Sequence, residues 1–210
     1  MVSYTLTSIA CLALGAAAVP VNLADIVGGQ NGNGHISLQL DLTLGQDAFA
    51  ANKFGGGDLF TFTSTHSIHA LPENVVDGTT PTGGIAGASG IFNYGINSHA
   101  NMICYNITLH NFQGEFESPA TTATHIHEAA LGASGPPRIS FPNPEPVDEA
   151  GTVRNSAGCL KGPFLTGVIM EEKDTGEGFH VSQIEANPAG FMTDTHSSLA
   201  LPGAVRGQLA

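Results

Sequence analysis

The sequence has no tryptophan, three cysteines and only six lysines and arginines among 210 residues. Charged residues make up 11% of the chain, where an ordinary soluble protein has roughly a quarter. Eighteen Asp and Glu leave a formal net charge of −12. A surface so short of cations argues against nucleic acid and anionic membrane as partners. Also missing are a Gly-x-Ser-x-Gly elbow, a His-Glu-x-x-His zinc helix and a phosphate-cradling Gly-x-x-x-x-Gly-Lys. The acidic residues are scattered and form no marked pair of the kind a glycosidase needs. What is present is 41% hydrophobic residues, sufficient for a packed core, with 27 Gly and 12 Pro, which call for many turns and little long helix. No internal repeat and no linker divides the chain.

Residues 6–18 form an uncharged apolar run ending in Ala16-Ala17-Ala18, with Pro20 close behind. Residues 1–18 therefore read as a secretory leader, although its start lacks Lys and Arg. The run is too short for a membrane span. Residues 19–34 read as a flexible lead-in. Once the leader is removed, the mature chain keeps Cys104 and Cys159, and two cysteines in an oxidising compartment most simply form one disulfide. Asn106-Ile107-Thr108 is a glycosylation sequon. The expected location is extracellular.

Strict alternation marks two strands. Ile36, Leu38, Leu40, Leu42 and Leu44 share one face of 35–44, and Ile103, Tyr105, Ile107 and Leu109 share one face of 102–110. The second strand turns Cys104, Asn106, Thr108 and His110 outward, where Cys104 can reach a covering loop. Shorter strands are expected at 58–63, 123–128, 138–141, 164–170, 191–196 and 204–209. Loops are expected at 78–90 and 145–162, the latter carrying Cys159, and a short helix at 181–187. Many short strands separated by turn signals describe an all-β sandwich or barrel with one short helix.

The nine histidines outnumber Lys and Arg together. In Thr124-His125-Ile126-His127-Glu128 the two imidazoles project from one side of a strand, about 7 Å apart. Such a pair suits Zn or Cu chelation, because a rigid strand brings both nitrogens together. It equally suits two polar residues hydrogen-bonded in a β-wall. A third ligand must come from elsewhere. His196, in Asp194-Thr195-His196, is the best candidate, and His180 is a fourth. Asp194 or Glu128 can serve as a ligand, or as an acceptor fixing an imidazole tautomer. His35, His66, His69, His99 and His110 read as ordinary solvated residues.

Several segments resemble the chordin-type (CHRD) domain: Ala123-Thr124-His125-Ile126-His127, the turn Gly132 to Pro137, the strand Phe191 to His196, and the ending Gly203-Ala204-Val205-Arg206-Gly207-Gln208. The match spans roughly 102–210, and residues 97–105 resemble the secreted fungal branch of that family. The resemblance implies a single domain over 35–210 with an immunoglobulin-like, superoxide-dismutase-like Greek-key β-barrel or sandwich. A distant likeness to copper/zinc dismutases implies that His125, His127 and His196 correspond to copper ligands and Arg206 to an anion-guiding arginine. No histidine lies between His127 and His180, so the zinc-loop ligands of those enzymes have no counterpart.

Two functions follow. One is an extracellular or cell-surface binding or structural module with an extracellular or cell-wall partner, holding one Cu or Zn ion in its wall. The other is a copper-dependent, dismutase-like enzyme, which the missing zinc loop and the charge of −12 disfavour.

Overall fold

Two antiparallel sheets lie face to face, each contributing its alternate residues to one core. The computed structural model describes residues 61–210. The expected leader, the lead-in, the strand at 35–44, Cys11 and His35 lie outside the described residues. Along the chain the strands are β1 (Ser64–Ala70), β2 (Val76–Asp77), β3 (Thr80–Pro81), β4 (Ser89–Asn97), β5 (Met102–His110), β6 (Thr124–Glu128), β7 (Pro137–Phe141), β8 (Glu145–Pro146), β9 (Val153–Lys161), β10 (Ile169–Met170), β11 (Lys173–Asp174), β12 (Phe191–Ser197) and β13 (Ala200–Gln208). A five-residue helix, α1 (Ser182–Ala186), precedes β12 and buries Ile184.

The larger sheet has the order β1-β4-β5-β9-β8 and the smaller β13-β12-β6-β7. Phe92, Tyr94, Ile96, Ile103, Ile107 and Leu109 of the larger sheet meet Ile126, Ile139, Phe141, Phe191 and Val205 of the smaller. Phe141 anchors the junction, its ring centroid 5.3 Å from that of Tyr94 and 5.0 Å from that of Tyr105. Burial of one such ring stabilises by about 2–3 kcal/mol. The Tyr94 hydroxyl pairs with Thr193 Oγ1 across the layers at 2.7 Å, so its polar end is satisfied inside the core. The arrangement is a sandwich and no closed barrel, although Leu71 and Arg206 exchange both backbone hydrogen bonds where β1 passes β13.

Strands β5, β6, β7 and β12 match the sequence reading closely, and β13 starts earlier than expected. Several expectations are corrected. Residues 153–161 are a full strand, where a loop was expected. Its inward positions are Arg154, Ser156, Gly158 and Leu160, so no apolar alternation announces it. Neighbouring rings fill the space: Arg154 stacks on Phe112 and Phe116, and a Cβ at Gly158 would meet the Tyr105 hydroxyl at 2.9 Å. Residues 78–90 are only partly a loop, since they contain β3 and the start of β4. Residues 164–168 are not a strand, because the Asp174 carboxylate takes the backbone N–H groups of Thr166 and Gly167 that a ladder would use. Of the strand expected at 58–63, the described part, 61–63, is irregular and β1 begins at Ser64.

The two cysteines form a disulfide. Cys104 and Cys159 stand opposite each other in the β5–β9 ladder on the outward face, so the partner comes from a strand and not from a covering loop.

Candidate metal centre

Strands β6 and β12 run antiparallel with Asp194 opposite His125 and Met192 opposite His127. Because side chains alternate along a strand, His125, His127, Asp194 and His196 all leave the outer face of the smaller sheet, while Ile126 and Thr193 enter the core. Two ladder irregularities flank the group. The β6–β7 register shifts between Ile126 and His127, and the β12–β13 register shifts between Thr195 and Ser197. Such breaks re-aim individual side chains.

One ligand atom from each of His125, His127, Asp194 and His196 lies within 4.8 Å of all the others. The carboxylate is central: Asp194 Oδ1 is 3.7 Å from His125 Nδ1 and 3.3 Å from His127 Nε2, and Oδ2 is 3.3 Å from His196 Nε2. The outer nitrogen of every ring is held by a backbone carbonyl. His125 Nε2–H donates to Thr122 O at 2.6 Å, His127 Nδ1–H to Gly135 O at 2.7 Å, and His196 Nδ1–H to Leu201 O at 2.7 Å. A carbonyl can only accept, so each ring presents its second nitrogen to the centre. This arrangement orients ligating imidazoles.

His125 is 1% exposed and Asp194 2%. His125 Nδ1, His127 Nε2 and Asp194 Oδ1 are buried and make no hydrogen bond. Burying such atoms is costly unless a charge or partner meets them. Burial pushes the His125 pKa down despite the facing carboxylate. Burial alone would raise the Asp194 pKa, but the imidazoles of His127 and His196 bring it well below the usual carboxylate range. For His196, burial opposes the charge, yet Asp194 outweighs it and pushes the pKa up to about 9. A cation in this group would be surrounded by three nitrogens and one carboxylate, and the four residues could hold a metal ion.

A cavity of about 150 Å³ opens beside the group, lined in part by His127, Asp194, His196, Met192, Pro202 and Arg206. A larger surface cleft of about 380 Å³ beside Leu199 and Leu201 has no titratable lining residue.

Of the residues singled out from the sequence, His125, His127 and His196 are brought together, and Asp194 completes the set. His180 is not part of it. It precedes α1, its Nδ1 pairs with Ser182, and it lies outside the four-residue group. Glu128 lies on the other side of β6 from the site and pairs with Arg138 at 2.7 Å. The carbonyls of Thr122, Gly135 and Leu201 carry no side-chain signal, and only the folded backbone reveals them.

The family model of the CHRD domain matches residues 67–209, more than half of the chain and well upstream of Met102. The chain belongs to the CHRD domain family. Neither a curated protein nor a solved structure matches it. The four residues of the candidate centre, Arg206 and the disulfide all lie inside this CHRD domain. Among the described residues, no helix is long and apolar enough to cross a membrane.

Proposed function

We propose that this CHRD domain is an extracellular binding or structural module that holds one transition-metal ion through His125, His127, His196 and Asp194. The convergence of three carbonyl-oriented imidazoles on a buried carboxylate carries the reading. Three nitrogens and one oxygen suit Zn or Cu, whereas Ca and Mg favour sites built of oxygen alone. The ion would neutralise the Asp194 charge and satisfy the unbonded ring nitrogens. No observation favours a dismutase-like activity over this role.

Extracellular residence is supported by the Cys104–Cys159 disulfide and the leader-like start of the sequence. It is further supported by Asn106, which is exposed on the outer face of β5. A partner in the extracellular space or cell wall would meet a surface with few cations.

The test is metal uptake by the purified protein. About one equivalent of Zn²⁺ or Cu²⁺ should be retained after dialysis, and His125→Ala with His127→Ala should abolish it. A wild-type protein that takes up neither ion, or a double variant that keeps full stoichiometry, overturns the proposal.

A further inference from the structure

The Arg206-Gly207-Gln208 ending plays no part in the metal reading so far, yet its side chains reach the loop that carries a ligand's support. Arg206 lies opposite Asp194 in the β12–β13 ladder, and Gln208 lies opposite Met192. Both leave the outer face of the smaller sheet. Arg206 Nη2 donates to Ala133 O at 2.8 Å and to Ala130 O at 3.3 Å. Gln208 Nε2 donates to Ala129 O and Ala189 O, each at 2.8 Å. Three carbonyls of the turn between β6 and β7 are thus held by two side chains of β13. The same turn ends at Gly135, whose carbonyl accepts from His127 Nδ1. Gly135 packs directly against the β6 backbone, since a Cβ there would lie 2.0 Å from Glu128 O.

Gly207, between Arg206 and Gln208, points the opposite way. It faces the core side, where a Cβ would meet Ile68 Cγ2 at 2.4 Å and His69 O at 3.1 Å. Arg206 and Gln208 share the outer face by alternation, and the missing side chain between them lets β1 come this close.

We propose that Arg206 and Gln208 are positioning residues for the metal centre, acting through the β6–β7 turn on the hydrogen bond that aims His127. Arg206 places its Nη2 donors on two carbonyls of the turn and is 3% exposed, which fixes its side chain against that turn. His125 and His196 are held by Thr122 and Leu201, outside this turn, and serve as internal controls. The metal-affinity consequence rests on the proposed function, while the hydrogen-bond consequence does not.

The experiment compares wild type with Arg206→Met, Arg206→Lys and Gln208→Met. Ring N–H protons of His125, His127 and His196 are followed by NMR in the metal-free protein at one fixed pH, and Zn²⁺ affinity is measured separately. Arg206→Met should lose the protected His127 Nδ1–H signal and keep the other two. Its Zn²⁺ affinity should fall by about 10–100-fold, the usual effect of removing an outer support. Arg206→Lys should restore part of both. If Arg206→Met does not fold, Gln208→Met carries the same comparison. A folded variant that keeps His127 protected as in wild type overturns the proposal. Wild type that binds no Zn²⁺ overturns the metal reading alone, because the N–H comparison still decides the positioning role.

Discussion

Asp194 faces His125 across the β6–β12 ladder, with its Oδ1 3.7 Å from the imidazole Nδ1. Both residues are almost wholly buried, so the carboxylate charge is felt by every ring around it. The consequences extend to pH, to the metal and to stability.

In the metal-free protein the His196 pKa is raised to about 9 against an ordinary 6.5. A folded-state pKa above the unfolded one contributes stability that is complete below pH 6.5 and lost as pH rises through 9. Stability from chemical denaturation should therefore fall between these values, by on the order of 3 kcal/mol. The slope should vanish in His196→Gln. In Asp194→Asn the His196 pKa should drop to its ordinary value or below, since burial is then unopposed. NMR titration of the His196 ring checks that shift.

Asp174 provides the opposite sign at a second place. Partial burial raises its pKa, but backbone N–H donors from Thr166, Gly176 and Gly167 outweigh this and bring it below the ordinary value. Its contribution is present above the unfolded carboxyl pKa and is lost as pH falls through the folded one. Asp174→Ala should cost about 2 kcal/mol at neutral pH and much less in acid, as measured by denaturant titration at both.

The disulfide joins residues 55 apart in sequence. In the chain-entropy model a loop of that length stabilises by roughly 4 kcal/mol. Cys104→Ser with Cys159→Ser should lower the unfolding free energy by that order. Intact wild type should resist alkylation until a reductant is added, and mass spectrometry that finds both thiols alkylated beforehand contradicts the bond.

Asn106 is exposed, and its Oδ1 accepts from Asn155 at 2.8 Å. Protein made in a eukaryotic secretory system should carry one glycan at this position. Glycosidase treatment should shift its mass, and Asn106→Gln should remove the shift. An unmodified Asn106 in secreted protein sinks this expectation.

Where alternation was strong and local, sequence and structure agree. Strand β5 is visible as a run whose apolar residues fall on one side. Strand β9 was hidden because its inner face carries Arg154, Ser156 and Gly158, and the apolar volume there comes from Phe112, Phe116 and Tyr105 on neighbouring segments. A pattern read along one strand cannot see a ring supplied by another. The same limit explains why His180 stood as a fourth candidate behind His196. Both follow a phenylalanine-led segment, but only His196 lies on a strand paired with β6.

The sequence by itself determined that His125 and His127 share a side and that His196 shares one with Asp194. These are properties of a chain that alternates every second residue. The tertiary structure alone decided that β12 lies beside β6 in the register that sets Asp194 against His125. It also decided that three backbone carbonyls turn the rings inward and that Arg206 and Gln208 hold the turn above them. Those contacts join residues far apart in the chain, and their register is selected by the packing of both sheets together, which no local periodicity encodes.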